Sequence, residues 1–161
     1  ICIYGVPAGL SLQTEDFLKD LERRKGGLQK GTTPRKEDDI PIFKSGIFNG
    51  KTTGAPLLIL FENNNIRSSD YERQKAIPRP GHADFVATKK FGSFEDYRGG
   101  GHFSGRLTVC LVPAGVIAKR FLPNIHVAST ILEIGGESAL EHGLHKAMTA
   151  QEPMRGFVEC R

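Results

Sequence analysis

Between Arg79 and Arg106 the chain gathers residue types that can do chemistry. The stretch holds His82 and His102, the arginines Arg79, Arg98 and Arg106, and the run Gly99, Gly100 and Gly101. An apolar, helix-like segment follows at once. Glycines running into a helix start, with cations around them, suit an anionic ligand. His82 and Asp84 are two apart, so on extended backbone they share a face. Pro80-Gly81 argues against helix at that point. Two readings of the pair stand: a turn histidine salt-bridged to Asp84, or a general acid.

Familiar phosphate and nucleophile motifs do not fit. No Gly-Lys-Ser/Thr follows the glycines, so the stretch is not a P-loop. The dinucleotide fingerprint would need Gly at 104, where the chain has Ser. A serine elbow would need Gly at 102, where it has His. Arg98-Gly99-Gly100 resembles one unit of an RGG segment, but it stands alone, with little aromatic interleaving elsewhere for base stacking.

The elements that must position these residues can be read in order. Ile1–Tyr4 reads as a strand and Gly5–Gly9 as a turn. Thr14 is placed to cap a helix carrying Phe17, Leu18 and Leu21 at helical spacing, stopped by Gly26-Gly27. Arg23, Arg24 and Lys25 fall in its last turn, either compensating the helix dipole or joining Lys30, Arg35 and Lys36 at an anion site. Asn49-Gly50 between apolar runs over 40–48 and 51–61 predicts a hairpin. The continuous apolar run Leu57–Phe61 predicts a strand buried on both faces. Residues 63–80 read as a polar surface loop or lid. The segment 104–122 predicts a buried helix that Pro113 kinks or breaks. A strand over 127–134, a short helix capped near Ser138, and a last strand over 157–160 complete the pattern. His142 and His145 could share a face of that helix, but no third metal ligand accompanies them.

The 161 residues suit one domain with a real core, read as 1–161 without a dividing linker. Lys+Arg of 22 against Asp+Glu of 18 gives a net charge of +4, compatible with an anionic small molecule or a nucleic-acid surface. Cys2, Cys110 and Cys160 stand in apolar settings and read as buried free thiols in a reducing, cytoplasmic compartment. No CxxC or Cys/His spacing supports a zinc site, so no metal is expected. No apolar run is long enough for a membrane span. The chain starts at Ile1 inside a strand and ends just after another apolar run, which predicts a longer polypeptide.

Taken with its flanks, the stretch resembles the chorismate synthase family. Arg79-Pro-Gly-His-Ala-Asp84 is similar to the family's RPGHAD motif. Asp96-Tyr-Arg-Gly-Gly-Gly-His-Phe-Ser-Gly-Arg106 is similar to its DYRGGGR-SSAR segment. Blocks at 5–9, 21–25, 32–37, 45–54 and 114–119 follow in the family's order, and Gly156–Cys160 resembles a later family strand. The resemblance implies an α+β fold, a β-α-β sandwich of antiparallel sheets around helices, here incomplete at both ends and covering the family's N-terminal to middle portion. It implies a lyase of the shikimate pathway that eliminates phosphate from 5-enolpyruvylshikimate 3-phosphate. Reduced FMN is required, with NADPH a candidate reductant of the flavin. A homotetramer is implied, with no nucleic-acid or membrane partner.

By the same resemblance His82 is the catalytic acid beside the flavin. Arg24, Lys30, Arg79 and Arg106 meet the substrate and its phosphate, and His102, Phe103 and Ser104 occupy flavin-contacting positions. Two departures stand out: His-Phe-Ser-Gly-Arg replaces Arg-Ser-Ser-Ala-Arg, and Lys30 stands where the family has Arg, which is not equivalent at a bidentate site. The family's Gly-Glu-Ser-His-Gly segment, with a second catalytic histidine, is expected before Ile1. The rivals from other classes are a basic anion- or nucleic-acid-binding module on Arg98-Gly-Gly-Gly and an inactive fragment.

Overall fold

A computed structural model describes residues 1–27, 32, 37–64, 71, 77–152 and 154–161. They form two compact units, one from the described residues between Ile1 and Ile117, Thr32 apart, and one from Ala118–Arg161.

In the first unit, β1 (Cys2–Ile3), β5 (Leu57–Leu60) and β2 (Ile42–Ser45) make an antiparallel sheet in that order. β3 (Ile47–Phe48) and β4 (Lys51–Thr52) pair across Asn49-Gly50, both at positive φ, 48° and 71°. That is the geometry Asn-Gly was expected to supply. Thr52 ties this hairpin to the first turn. Its hydroxyl donates to Pro7 O at 2.6 Å and accepts from the Leu10 N–H at 2.9 Å. Gly46 joins β2 to β3 at φ +84°, and a Cβ there would lie 2.7 Å from Leu57 Cα. Only glycine lets these backbones approach so closely.

α1 (Glu15–Arg24) lays Phe17 and Leu21 into a core with Val6, Leu12, Leu57, Ile59, Val109, Val116 and Ile117. Leu18, expected on the same face, points outward. Thr14 occupies the cap position, but its side chain makes no cap bond because its backbone is already helical. Asp16 serves instead, accepting from the Gln13 N–H at 2.9 Å. β5 corrects a second expectation. Leu57 and Ile59 are buried, whereas Leu58 and Leu60 are 39% and 45% exposed. The run is apolar throughout, but the described residues cover one face of the sheet. Cys2 pairs with Leu58 on the open face, so it is exposed rather than buried; Cys160 is also exposed and Cys110 is partly so.

Residues 84–91, unassigned from sequence, form α2 (Asp84–Phe91), ended by Gly92 in the left-handed region. The glycine run lies in a 3-10 helix, Arg98–Phe103, and a second, Gly105–Cys110, leads into α3 (Leu111–Phe121). Pro113 therefore sits in the first turn of α3, where its missing N–H costs little, and does not break the helix. The expected all-round burial fails too: Leu107, Leu111 and Phe121 are exposed, while Val109, Pro113, Val116 and Ile117 are buried.

In the second unit β6 (Ser129–Ile134) pairs antiparallel with β7 (Gly156–Cys160), and α4 (Leu140–Ala150) lies between them in sequence and packs on β6. Ala139, next to Ser138, holds the cap position of α4, as expected. Lys146 Nζ fixes the turn after β6 by donating to Gly135 O at 3.0 Å and Glu137 Oε1 at 3.1 Å.

Candidate functional site

Pro80-Gly81 forces a turn that is closed by His82 N–H donating to Arg79 O at 3.2 Å. Asp84 then opens α2, where a carboxylate suits the helix dipole. The turn, not an extended strand, brings His82 and Asp84 together. Arg79 grips Asp84 bidentately, Nε to Oδ2 at 2.7 Å and Nη2 to Oδ1 at 2.8 Å, and its backbone N–H adds a bond of 3.0 Å. His82 Nδ1 lies 2.7 Å from Asp84 Oδ1, with Arg79 Nη2 3.2 Å from the same ring nitrogen. The Arg79 side chain is the main cause holding the Asp84 carboxyl well below the usual carboxylate range; burial opposes it, and the Arg79 backbone and His82 assist. Asp84 in turn raises Arg79.

A cavity of about 40 Å³ opens beside this cluster, with Arg79, Asp84, Thr88, Gly101, His102 and Phe103 in its walls. The first 3-10 helix presents the rings. His102 and Phe103 lie 4.2 Å apart between centroids, and Phe91 meets His102 edge-on at 5.3 Å. Arg98 does not face this space as a free cation. It forms a bidentate pair with Asp96, both contacts at 2.8 Å, and holds that carboxyl down at about 2.

A second cluster gathers where residue 104 turns extended between the two 3-10 helices. Ser104 caps the second one, its hydroxyl accepting from the Arg106 N–H at 3.2 Å. Arg106 Nη1 forms an ion pair with Asp39 Oδ1, and Nη2 donates to Glu62 O at 3.2 Å. Arg24, at the end of α1, places Nη1 3.6 Å from Asp39 Oδ2 and donates through Nη2 to Thr108 Oγ1 at 3.0 Å and Gly105 O at 3.3 Å.

The structure thus joins Arg79 with His82, sets His102 and Phe103 on the same cavity as Arg79, and joins Arg24 with Arg106. Lys30 lies outside the described residues. Asp39 is the participant the sequence did not single out. Its place in the acidic run Glu37-Asp38-Asp39, after Arg35-Lys36, is its only local signal, and nothing local links it to a residue 67 positions away. Among the described residues no group of His, Cys, Asp or Glu could hold a metal ion.

The residues suit a reduced flavin in chemistry: the tilted ring pair His102 and Phe103, cations nearby, and a helix start at Ser104. A cavity of about 40 Å³ is too small to enclose a flavin.

Comparison with known proteins gives a consistent result. The family model described as chorismate synthase matches residues 1–159. The chorismate synthase of Chitinophaga pinensis is 64% identical over 159 residues, covering 98% of this chain and 48% of that protein. That of Pyrococcus abyssi is 47% identical, covering 95% of this chain and 43% of its own length. A crystal structure of chorismate synthase superposes with a TM-score of 0.53 at 24% identity, over 87% of this chain and 35% of that one. That last likeness speaks for the fold alone, α+β with antiparallel sheets. The chain spans about half the length of the curated relatives it matches. Matched by the family model along almost its whole length and in close identity to a curated member, the chain belongs to the chorismate synthase family.

Proposed function

We propose that the polypeptide carrying this chain eliminates phosphate from 5-enolpyruvylshikimate 3-phosphate to give chorismate, with reduced FMN bound. The observation that carries this reading is the Arg79–Asp84 pair, with His82 tied to it, beside the ring pair His102–Phe103 on one cavity. In this trans-1,4 elimination a ring C–H bond breaks, its electron pair shifts the double bond, and the allylic C–O bond releases inorganic phosphate. No net oxidation occurs. Reduced flavin, when bound, supplies an electron-rich ring beside the allylic system.

The chain's own residues have distinct tasks. Arg24, Lys30, Arg79 and Arg106 bind the anionic substrate and stabilise charge as phosphate leaves. The contact of His82 Nδ1 with Asp84 Oδ1 at 2.7 Å orients the ring of the proposed acid. His102, Phe103 and Ser104 hold the flavin. We extend the reading to a cytoplasmic homotetramer, with NADPH a candidate reductant of the flavin and no nucleic-acid or membrane partner.

The test is anaerobic phosphate release from the substrate with reduced FMN. His82→Ala should lower the rate at least ~10²-fold, the scale of a positioned acid. Unchanged turnover in that variant would remove His82 from the mechanism, and absence of phosphate release by the unaltered protein would overturn the reading.

A further inference from the structure

We propose that Asp39 is a positioning residue for anion binding: its buried carboxylate gathers Arg24 and Arg106 into one cationic cluster that receives a phosphate-bearing ligand. The proposal rests on the reading of Arg24 and Arg106 as anion-binding residues and adds what holds them.

The Asp39 side chain is 2% exposed, whereas those of Arg24 and Arg106 remain 25% and 19% exposed. The carboxylate is thus sealed inside while both arginine side chains stay partly exposed. A buried carboxylate without partners is costly, and among the described residues each oxygen has one: Oδ1 meets Arg106 and Oδ2 meets Arg24. The backbone of Asp39 is left-handed at φ 54°, a conformation that Asp tolerates better than most residues. Further contacts orient each guanidinium plane. Glu62 O takes one donor of Arg106, and Thr108 Oγ1 with Gly105 O takes those of Arg24. Thr108 is itself fixed by donating to Gly105 O at 2.6 Å.

Of the side chains that pair here among the described residues, two are guanidinium groups and one is a carboxylate, while Asp38 and Glu62 line the pocket beside Asp39. Without Asp39 the two like charges would separate. With it they share one place and offer planar donors to a phosphate or carboxylate. Asp39 touches no ligand in this account and acts through the two arginines.

The test measures binding of inorganic phosphate to the intact polypeptide that carries this chain, by calorimetry, well below the unfolding temperature. This readout does not depend on turnover, so failure here is distinct from failure of the elimination reading. Asp39→Asn keeps the shape and removes the charge. If Asp39 only neutralised the arginines, the variant would bind phosphate more tightly. If it positions them, the phosphate Kd should rise at least ~10-fold, the loss expected when charge-assisted bonds are misaligned. Thr108→Val, which deletes one contact of Arg24 on an exposed turn, should raise the Kd several-fold and serves as the readout if Asp39→Asn does not fold. Tighter or unchanged binding in Asp39→Asn overturns the proposal. So does an unchanged Kd in Thr108→Val when Asp39→Asn does not fold, or the absence of phosphate binding by the unaltered protein.

Discussion

Three groups compete for the Asp84 carboxylate: the Arg79 guanidinium, the Arg79 backbone N–H and the His82 ring. Their combined effect depresses its folded-state pKa from the ordinary 3.8, the Arg79 side chain contributing most. The sign of the pH dependence follows. A carboxyl whose pKa is lower folded than unfolded stabilises the fold fully above its unfolded value, and that stability is lost as pH falls through the folded value. Asp84 therefore contributes to stability at neutral pH and loses that contribution below about pH 4. Asp84→Asn should cost about 1–3 kcal/mol at pH 7, the range for breaking partly buried charge-assisted bonds. Its stability should also fall less steeply than that of the unaltered protein between about pH 4 and pH 2. Urea midpoints across that range would check both statements, and parallel curves would contradict the second. The sequence held this pairing as one of two readings, because a separation of two residues is local. Its true geometry depended on the Pro80-Gly81 turn.

At the scale of elements, what was legible is what local chemistry dictates. Asn49-Gly50 made its hairpin because both residues accept positive φ, and α1 ended at Arg24 with Lys25 as its cap, just before the glycines. What was not legible depended on surfaces brought from elsewhere. Leu57–Leu60 reads the same whether one face or two are covered, and only the assembled sheet shows Leu58 and Leu60 in the open. The turn into α2 and the 3-10 form of Arg98–Phe103 likewise carry weak local periodicity. Two glycines separate local from tertiary demands. Gly50, at φ +71°, has no heavy atom within 4 Å of an added Cβ, so Gly50→Ala should cost only the left-handed penalty of about 1–2 kcal/mol. Gly46, at φ +84°, would place its Cβ 2.7 Å from Leu57 Cα and 2.9 Å from Pro56 O. Gly46→Ala adds a backbone clash to that penalty, so it should be the more destabilising of the two by at least about 1 kcal/mol. Thermal unfolding of both variants would decide it; equal losses would mean that β2 and β5 can move apart at no cost.

Across the whole molecule, composition gave no hint of how much apolar surface these residues leave uncovered, since a hydrophobic share of 39% is ordinary. The sequence could show which residues are apolar but not which of them lack partners within this length of chain. In the first unit Leu58 and Leu60 line the open face of the sheet beside Cys2. In the second, Ile131, Phe157 and Val158 are exposed on the paired strands β6 and β7. Isolated exposed apolar residues are normal, but neighbouring ones on a strand face are a sign of surface meant for contact. Among the described residues β6 and β7 form a two-stranded sheet, too small to be stable without further packing. A polypeptide confined to these 161 residues should therefore bind an apolar dye such as ANS and associate with rising concentration. Light scattering and dye fluorescence in the presence of a thiol reductant would test this, because exposed Cys2 and Cys160 could otherwise crosslink chains. Substituting Leu58 and Leu60 with Thr should lower dye binding while leaving the core contacts of Leu57 and Ile59 in place. A chain that stays monomeric and dark to the dye over the concentration range would show that these faces are covered by the 161 residues themselves.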